Sequence, residues 1–383
     1  MTVNTPPPSL REKYGERYRW LLLISVMVGV MASIMSSTIV NVAIPDMSHY
    51  FGLGQERAQW VSSGFMVAMT VSMLTTPWLL SIWLAYKFVP VTAPGGVAAA
   101  RDTGLDWRGL LIGTVGTLCL LNGLVALRGD SVVEAVVLLA GAIAALIAFI
   151  RFQRHLTATG GAPLMNMALF GYRQFAMGNI VAFIYGAALF GSTYLLPVYM
   201  QVALKLSASH VGTIMLPAGI VLAFTIAMVG RLADRKPTWL LVSIGLALLA
   251  LSFSLMFTLS LGGTLWLLVA FATIGRIGLG FILPSLNLGS MRPLAKPLIP
   301  QGASAISFIR MLGGAAGVSL CAIALEWRLA AHGDSLERAT SPARLAAFNE
   351  VFLMLAALCA IALLAAWQLR DTSSSTLTST KAS

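Results

Sequence analysis

The sequence predicts an all-α polytopic membrane protein of about ten transmembrane helices, and three observations carry that prediction. Ten apolar stretches are each long enough to cross a bilayer, which takes roughly 20 residues for about 30 Å of hydrocarbon. Composition agrees, because 58% hydrophobic and 10% charged residues over 383 positions cannot clothe a water-soluble surface. The loops between the stretches are short, and their basic residues collect in alternate loops, the signature of cytoplasmic segments.

The first stretch, Leu21–Ile44, follows a basic segment, 1–20. It is too long for a signal-peptide core and lacks a small-residue cleavage site, so a cleaved leader is not expected. The second, Trp60–Val89, would make a helix of roughly 45 Å, well beyond one crossing. Tryptophans locate the excess. Trp20, Trp60, Trp107, Trp239, Trp266, Trp327 and Trp367 fall at span edges, where amphipathic rings prefer to sit, whereas Trp78 and Trp83 fall inside a span. Trp60 to Trp78 already makes a full crossing. Ser81–Val89 therefore reads as the end of a second helix joined at a seam near 78–81, with Pro77 at the break. A single long, tilted helix that protrudes from the membrane is the alternative.

A Gly-, Ala- and Pro-rich loop, 90–108, leads to a helix pair over 109–152, Gly109–Leu127 and Val132–Phe152. After the loop 153–174 come Phe175–Met200, Val211–Val229, Trp239–Leu259, Leu265–Leu288, Ala303–Glu326 and Ala346–Trp367. These form a predicted six-helix bundle over 175–367, followed by a Ser/Thr-rich, disordered tail, 368–383.

With the N-terminus inside, seventeen of the 25 Lys and Arg residues are cytoplasmic, six are outside, and Arg276 and Arg310 lie within spans. Both termini are therefore expected in the cytoplasm, and the net charge of +11 is a topology signal rather than a nucleic-acid patch. Cys119, Cys321 and Cys359 sit inside apolar spans without metal or redox spacing, and His49, His155, His210 and His332 are scattered. No phosphate-binding Gly-rich loop and no nucleophile–base pattern is present, so no cofactor, metal or enzymatic activity is expected. No soluble segment is large enough to house an ATPase, which disfavours an ATP-driven pump.

STIVNVAIPDM (Ser37–Met47) followed by QWVSSGFMVAMTVSML (Gln59–Leu74) resembles the first two helices of the fourteen-helix drug:proton antiporters, within the major facilitator superfamily. QFAMGNIVAFIYGAALFGSTYLLPVYMQ (Gln174–Gln201) resembles that family's ninth helix, and GRLADR (Gly230–Arg235) the second copy of its Gly-x-Leu-Ala-Asp-Arg loop. GRIGLGFILPSLNL (Gly275–Leu288) and FIRMLGGAAGVSL (Phe308–Leu320) resemble its twelfth and thirteenth helices.

The resemblance implies a major facilitator-like bundle in which Gly109–Phe152 is the helix pair inserted between two halves. It also implies a departure. SIWLAYKFVP (Ser81–Pro90) resembles the end of the sixth helix, so 21–89 is a truncated first half from which helices three to five and most of six are missing. Helices two and six run the same way, so the join preserves the orientation downstream. The family often places an Asp two residues before the Thr of its first-helix motif, and here that position is Ser36.

Intramembrane charge points to a transport path, because each such residue is costly unless paired or hydrated. Arg276 and Arg310 are the deep charges, able to line a cavity and bind an anionic or polar group, or else to bond carbonyls or snorkel to the interface. Asn41 and Gln59 are polar groups near the outer mouth. Asp234 and Arg235 form a candidate gating loop, or else a solvated turn. None of the 14 acidic residues falls near mid-span: Asp46, Glu134, Glu326 and Glu350 are at outer edges. Gly313 and Gly317 allow close helix approach, and Gly275, Gly278 and Gly280 with Pro284, and separately Pro197 and Pro217, mark packing or kink points.

The expected function is secondary transport in a bacterial inner membrane: efflux of a small hydrophobic or amphipathic substrate, coupled in the parent family to the proton gradient. A periplasmic adaptor or a homo-oligomer would be the protein partner. The competing expectation is a truncated, transport-inactive family member or a membrane partner of an intact relative.

Overall fold

A computed structural model of the chain describes residues 106–127, 131–161, 163–259, 265–333 and 342–370. All fall within one of the two units into which the chain divides, Thr103–Ser383. The first two predicted spans and the seam within the second lie outside the described residues.

Eight helices are long and apolar enough to cross a membrane among the described residues. They are α1 (Trp107–Ala126), α2 (Val132–Ala158), α3 (Arg173–Val198), α4 (Ala208–Ala233), α5 (Thr238–Phe257), α6 (Leu265–Met291), α7 (Ile299–Ala331) and α8 (Pro342–Trp367). Most outrun the apolar windows, α2 and α7 clearly. α2 continues past Phe152 through Arg154 and His155, basic residue types favoured at a helix C-terminus. α7 covers 33 residues, roughly 50 Å, with Pro300 in its first turn. Hydropathy marks only the part of a helix that meets hydrocarbon, so its polar turns go unseen.

Caps fix the ends. Asp106 accepts the Gly109 N–H of α1 at 2.8 Å, and Ser131 accepts the Glu134 N–H of α2 at 3.3 Å. α3 ends differently: Pro197 cannot donate to the helix ladder, and a wide π turn, Tyr199–Ala203, follows it before the chain reverses.

Chain direction puts the starts of α1, α3, α5 and α7 at one end, with the ends of α2, α4, α6 and α8; this is the α4–α5 end. α3 is central, packed most extensively on α7 and also on α6 and α8. α5 joins α6 to α8, and α4 lies against α6. α1 and α2 pair with each other, and α1 also touches α7.

The core is aliphatic and aromatic, with the ring of Tyr199 edge-on to Phe348 and Phe352. Outward faces are equally apolar: Phe224, Trp266 and Val133 are 72%, 78% and 74% exposed. A water-soluble protein would not carry such a surface, and a lipid-facing one requires it.

Polar ties close both ends. At the α4–α5 end, Gln153, which is fully buried, donates to Asp106 Oδ2 at 2.7 Å and accepts the Met165 N–H at 3.3 Å. At the opposite end Arg328 of α7 bonds Glu350 of α8 through both Nε and Nη2, and His332 Nε2 stands 3.4 Å from the same carboxylate. Arg344, predicted in an outer loop, is fully buried in the first turn of α8.

Candidate functional site

Among the described residues, two gatherings of polar groups include the predicted site residues, one inside the bundle and one at the α4–α5 end. The inner one follows from small residues. A Cβ added at Gly313 would collide with the Phe183 carbonyl, one at Gly317 with the backbone of Ala187, and one at Gly186 with the Arg310 carbonyl. Backbone therefore meets backbone where α3 crosses α7. On the other flank of the bundle α6 meets α5 in the same manner, with a Cβ at either Gly245 or Gly278 falling 2.7 Å from the other's carbonyl oxygen.

These close crossings bring the two predicted intramembrane cations to a common neighbour. Tyr185 of α3, 2% exposed, lies within electrostatic reach of both Arg276 of α6 and Arg310 of α7. Both arginines are half-buried. Among the described residues neither makes an ion pair, and no acid stands within electrostatic reach of Arg276. Two cations in an apolar bundle, both within electrostatic reach of one phenol, form an electropositive, polarisable site suited to an anion, a carbonyl or an electron-rich ring.

Two turns along α3 from Tyr185, Ser192 faces a small cavity shared with Ser252 of α5 and with Gly275 and Arg276 of α6. Its volume of about 10 Å³ admits one water at most. The Ser252 hydroxyl donates across the helix interface to the Phe271 carbonyl at 2.6 Å. A drug-sized ligand needs roughly 300–1,000 Å³, so this cavity is too small to be a substrate chamber.

Asp234 and Arg235 lie elsewhere. Both are exposed in the α4–α5 turn and border a hollow of about 380 Å³ with Lys236, Trp239, Arg292 and Arg370. The structure thus brings Arg276 and Arg310 together and keeps both apart from the predicted gating pair. Asn41, Gln59 and Ser36 lie outside the described residues. No group of three His, Cys, Asp or Glu residues able to hold a metal occurs among the described residues.

Sequence reasoning missed Tyr185, Ser192 and Ser252. A phenol or hydroxyl in an apolar span looks like core filler, and the one available signal was the Gly- and Ala-rich setting of Tyr185 in FIYGAALFG.

Comparison with known proteins yields a match to the family model described as Major Facilitator Superfamily over residues 78–318. The chain is similar to the lincomycin resistance protein LmrB of Bacillus subtilis, 24% identical over 275 residues, which cover 70% of this chain and 56% of that protein. It is also similar to the multidrug transporter protein MdtP of Bacillus subtilis, 27% identical, covering 65% of this chain and 47% of the relative. A third, the colistin resistance protein EmrB of Acinetobacter baumannii, is 25% identical, covering 62% and 46%. The chain spans about half the length of the curated relatives it matches.

Proposed function

The chain belongs to the Major Facilitator Superfamily, and on that footing we propose that it is a secondary transporter of a small hydrophobic or amphipathic compound. The observation that carries the reading is the convergence of Arg276 and Arg310 on Tyr185 inside an otherwise apolar bundle. Uncompensated charge at that depth is expensive and marks a solute path more often than a scaffold. The substrate meets this group through an anionic or polar moiety. Relatives named for lincomycin and colistin resistance and for multidrug transport favour efflux.

In this reading the α4–α5 end faces the cytoplasm. Arg151, Arg154, Arg173, Arg231, Arg235, Lys236, Arg292, Lys296 and Arg370 gather there, which the positive-inside rule favours. Asp234 and Arg235 then act as a latch that holds this end closed in one state of an alternating-access cycle. Proton coupling is weak, because Ser36 stands where the fourteen-helix drug:proton antiporters often carry Asp, and among the described residues no acid lies within electrostatic reach of Arg276.

The second reading, a transport-inactive member or a partner of an intact relative, has its own support. The chain covers half of its relatives' length, and the family match opens at residue 78, at the proposed seam. Proteoliposomes holding the full chain and a fluorescent hydrophobic probe with a polar head separate the two. Transport predicts probe flux that persists without a pH gradient and falls about ten-fold in Arg276→Gln, the factor that about 1.4 kcal/mol of lost binding gives. Flux equal to protein-free vesicles means the second reading holds.

A further inference from the structure

The hollow at the α4–α5 end is more than the seat of a gating turn. Arg235 and Lys236 from the turn, Arg292 after α6 and Arg370 after α8 all line it, and all four are exposed; the acid among its walls is Asp234. Trp239, in the first turn of α5, forms another wall, and the Arg370 guanidinium stacks 5.6 Å above its ring centroid. The stack holds one cation at the rim instead of leaving it to sweep through water.

α5 begins here without a side-chain cap, because Pro237 occupies the capping position. The positive end of a 20-residue helix therefore opens toward the same hollow. Leu240 and Ile244, one turn apart on α5 and following Trp239 in the chain, are 37% and 38% exposed and make an apolar strip along the helix.

We propose that this hollow binds the headgroup of an anionic phospholipid, with the phosphodiester among Arg235, Lys236 and Arg370 and an acyl chain along Leu240 and Ile244. A phosphate supplies counter-charge for Arg235, Lys236, Arg370 and a helix terminus, against which the hollow sets the single carboxylate of Asp234. The strip and the tryptophan suit a ligand that is polar at one end and apolar at the other, which a free phosphate is not. The bound lipid would pin the turn that carries Asp234 and Arg235 to the ends of α6 and α8.

The test is native mass spectrometry of the full chain released from nanodiscs of mixed phosphatidylglycerol and phosphatidylcholine. Selective retention of phosphatidylglycerol is expected, weakened about five-fold by each of Lys236→Gln and Arg370→Gln. Asp234→Asn should tighten retention, a gain that misfolding cannot imitate. Arg328→Gln, at the opposite end, should leave it unchanged. Equal retention of the two lipids, indifference to the Lys236 and Arg370 changes, or an equal loss in Arg328→Gln overturns the proposal. Displacement of phosphatidylglycerol by an equal concentration of soluble glycerol 1-phosphate overturns it too, since it would make this a free-phosphate site.

Discussion

Single residues decide how the α1–α2 hairpin is closed. Burial alone would raise the Asp106 carboxyl, but the Gly109 N–H, the Gln153 amide and the Leu164 N–H bond its charged form and hold it below the ordinary carboxylate range. A group with a lowered folded value stabilises the fold fully above its unfolded value of about 3.9, and that contribution is lost as pH falls through the folded value. The protection factor of the segment around Gly109, the intrinsic exchange rate over the observed rate at the same pH, should therefore be steady above about pH 5 and fall in acid. Asp106→Asn should abolish that acid dependence; an unchanged pH profile would refute it. Gln153→Leu should destabilise the hairpin by about 1–3 kcal/mol, because it leaves the Met165 N–H and one Asp106 oxygen without their partner. Nothing in the sequence announced this tie: Asp106 and Gln153 are 47 residues apart, and each reads alone as a loop acid or a span-edge amide. Tyr185 was hidden for the opposite reason, since periodicity in an apolar span does not distinguish a core phenol from one that meets two cations.

Whole helices were the most legible level, because a run of about 20 apolar residues has few alternatives in a bilayer. The Gly313–Gly317 pair was legible as a close-packing face, yet its partner was not, since spacing on one helix says nothing about which neighbour presses against it. The structure supplies α3, through Phe183, Gly186 and Ala187. Gly317→Leu should accordingly force α3 and α7 apart and lower the thermal stability of the full chain, with a cost of about 1–3 kcal/mol from overpacking. Gly219→Leu on α4 should be close to neutral, because an added Cβ there meets nothing within 4 Å. Thermal unfolding of the two variants in the same detergent makes the comparison, and equal losses would mean the crossing is not what orders the bundle. The polar turns that lengthen α2 and α7 were illegible to hydropathy for a physical reason: water satisfies those residues, so no apolar signal is needed to keep them helical.

Across the whole molecule the charge pattern predicts sidedness. Reporter fusions placed after Gln201 and after Arg235, at opposite ends of α4, should read periplasmic and cytoplasmic respectively. The same compartment for both would remove the orientation on which the efflux reading rests. The architecture also has a hierarchy. α3 touches α6, α7 and α8 and cannot be withdrawn without unpacking the core, whereas α1 and α2 lean mainly on each other, with α1 alone reaching α7. Asp106, Gln153 and Met165, which shut that hairpin, all belong to it or to the strand of chain leaving it. The hairpin thus carries its own fastening. A module closed by its own residues can be gained or shed without repair elsewhere, and among the described residues the bundle offers it a landing face on α7.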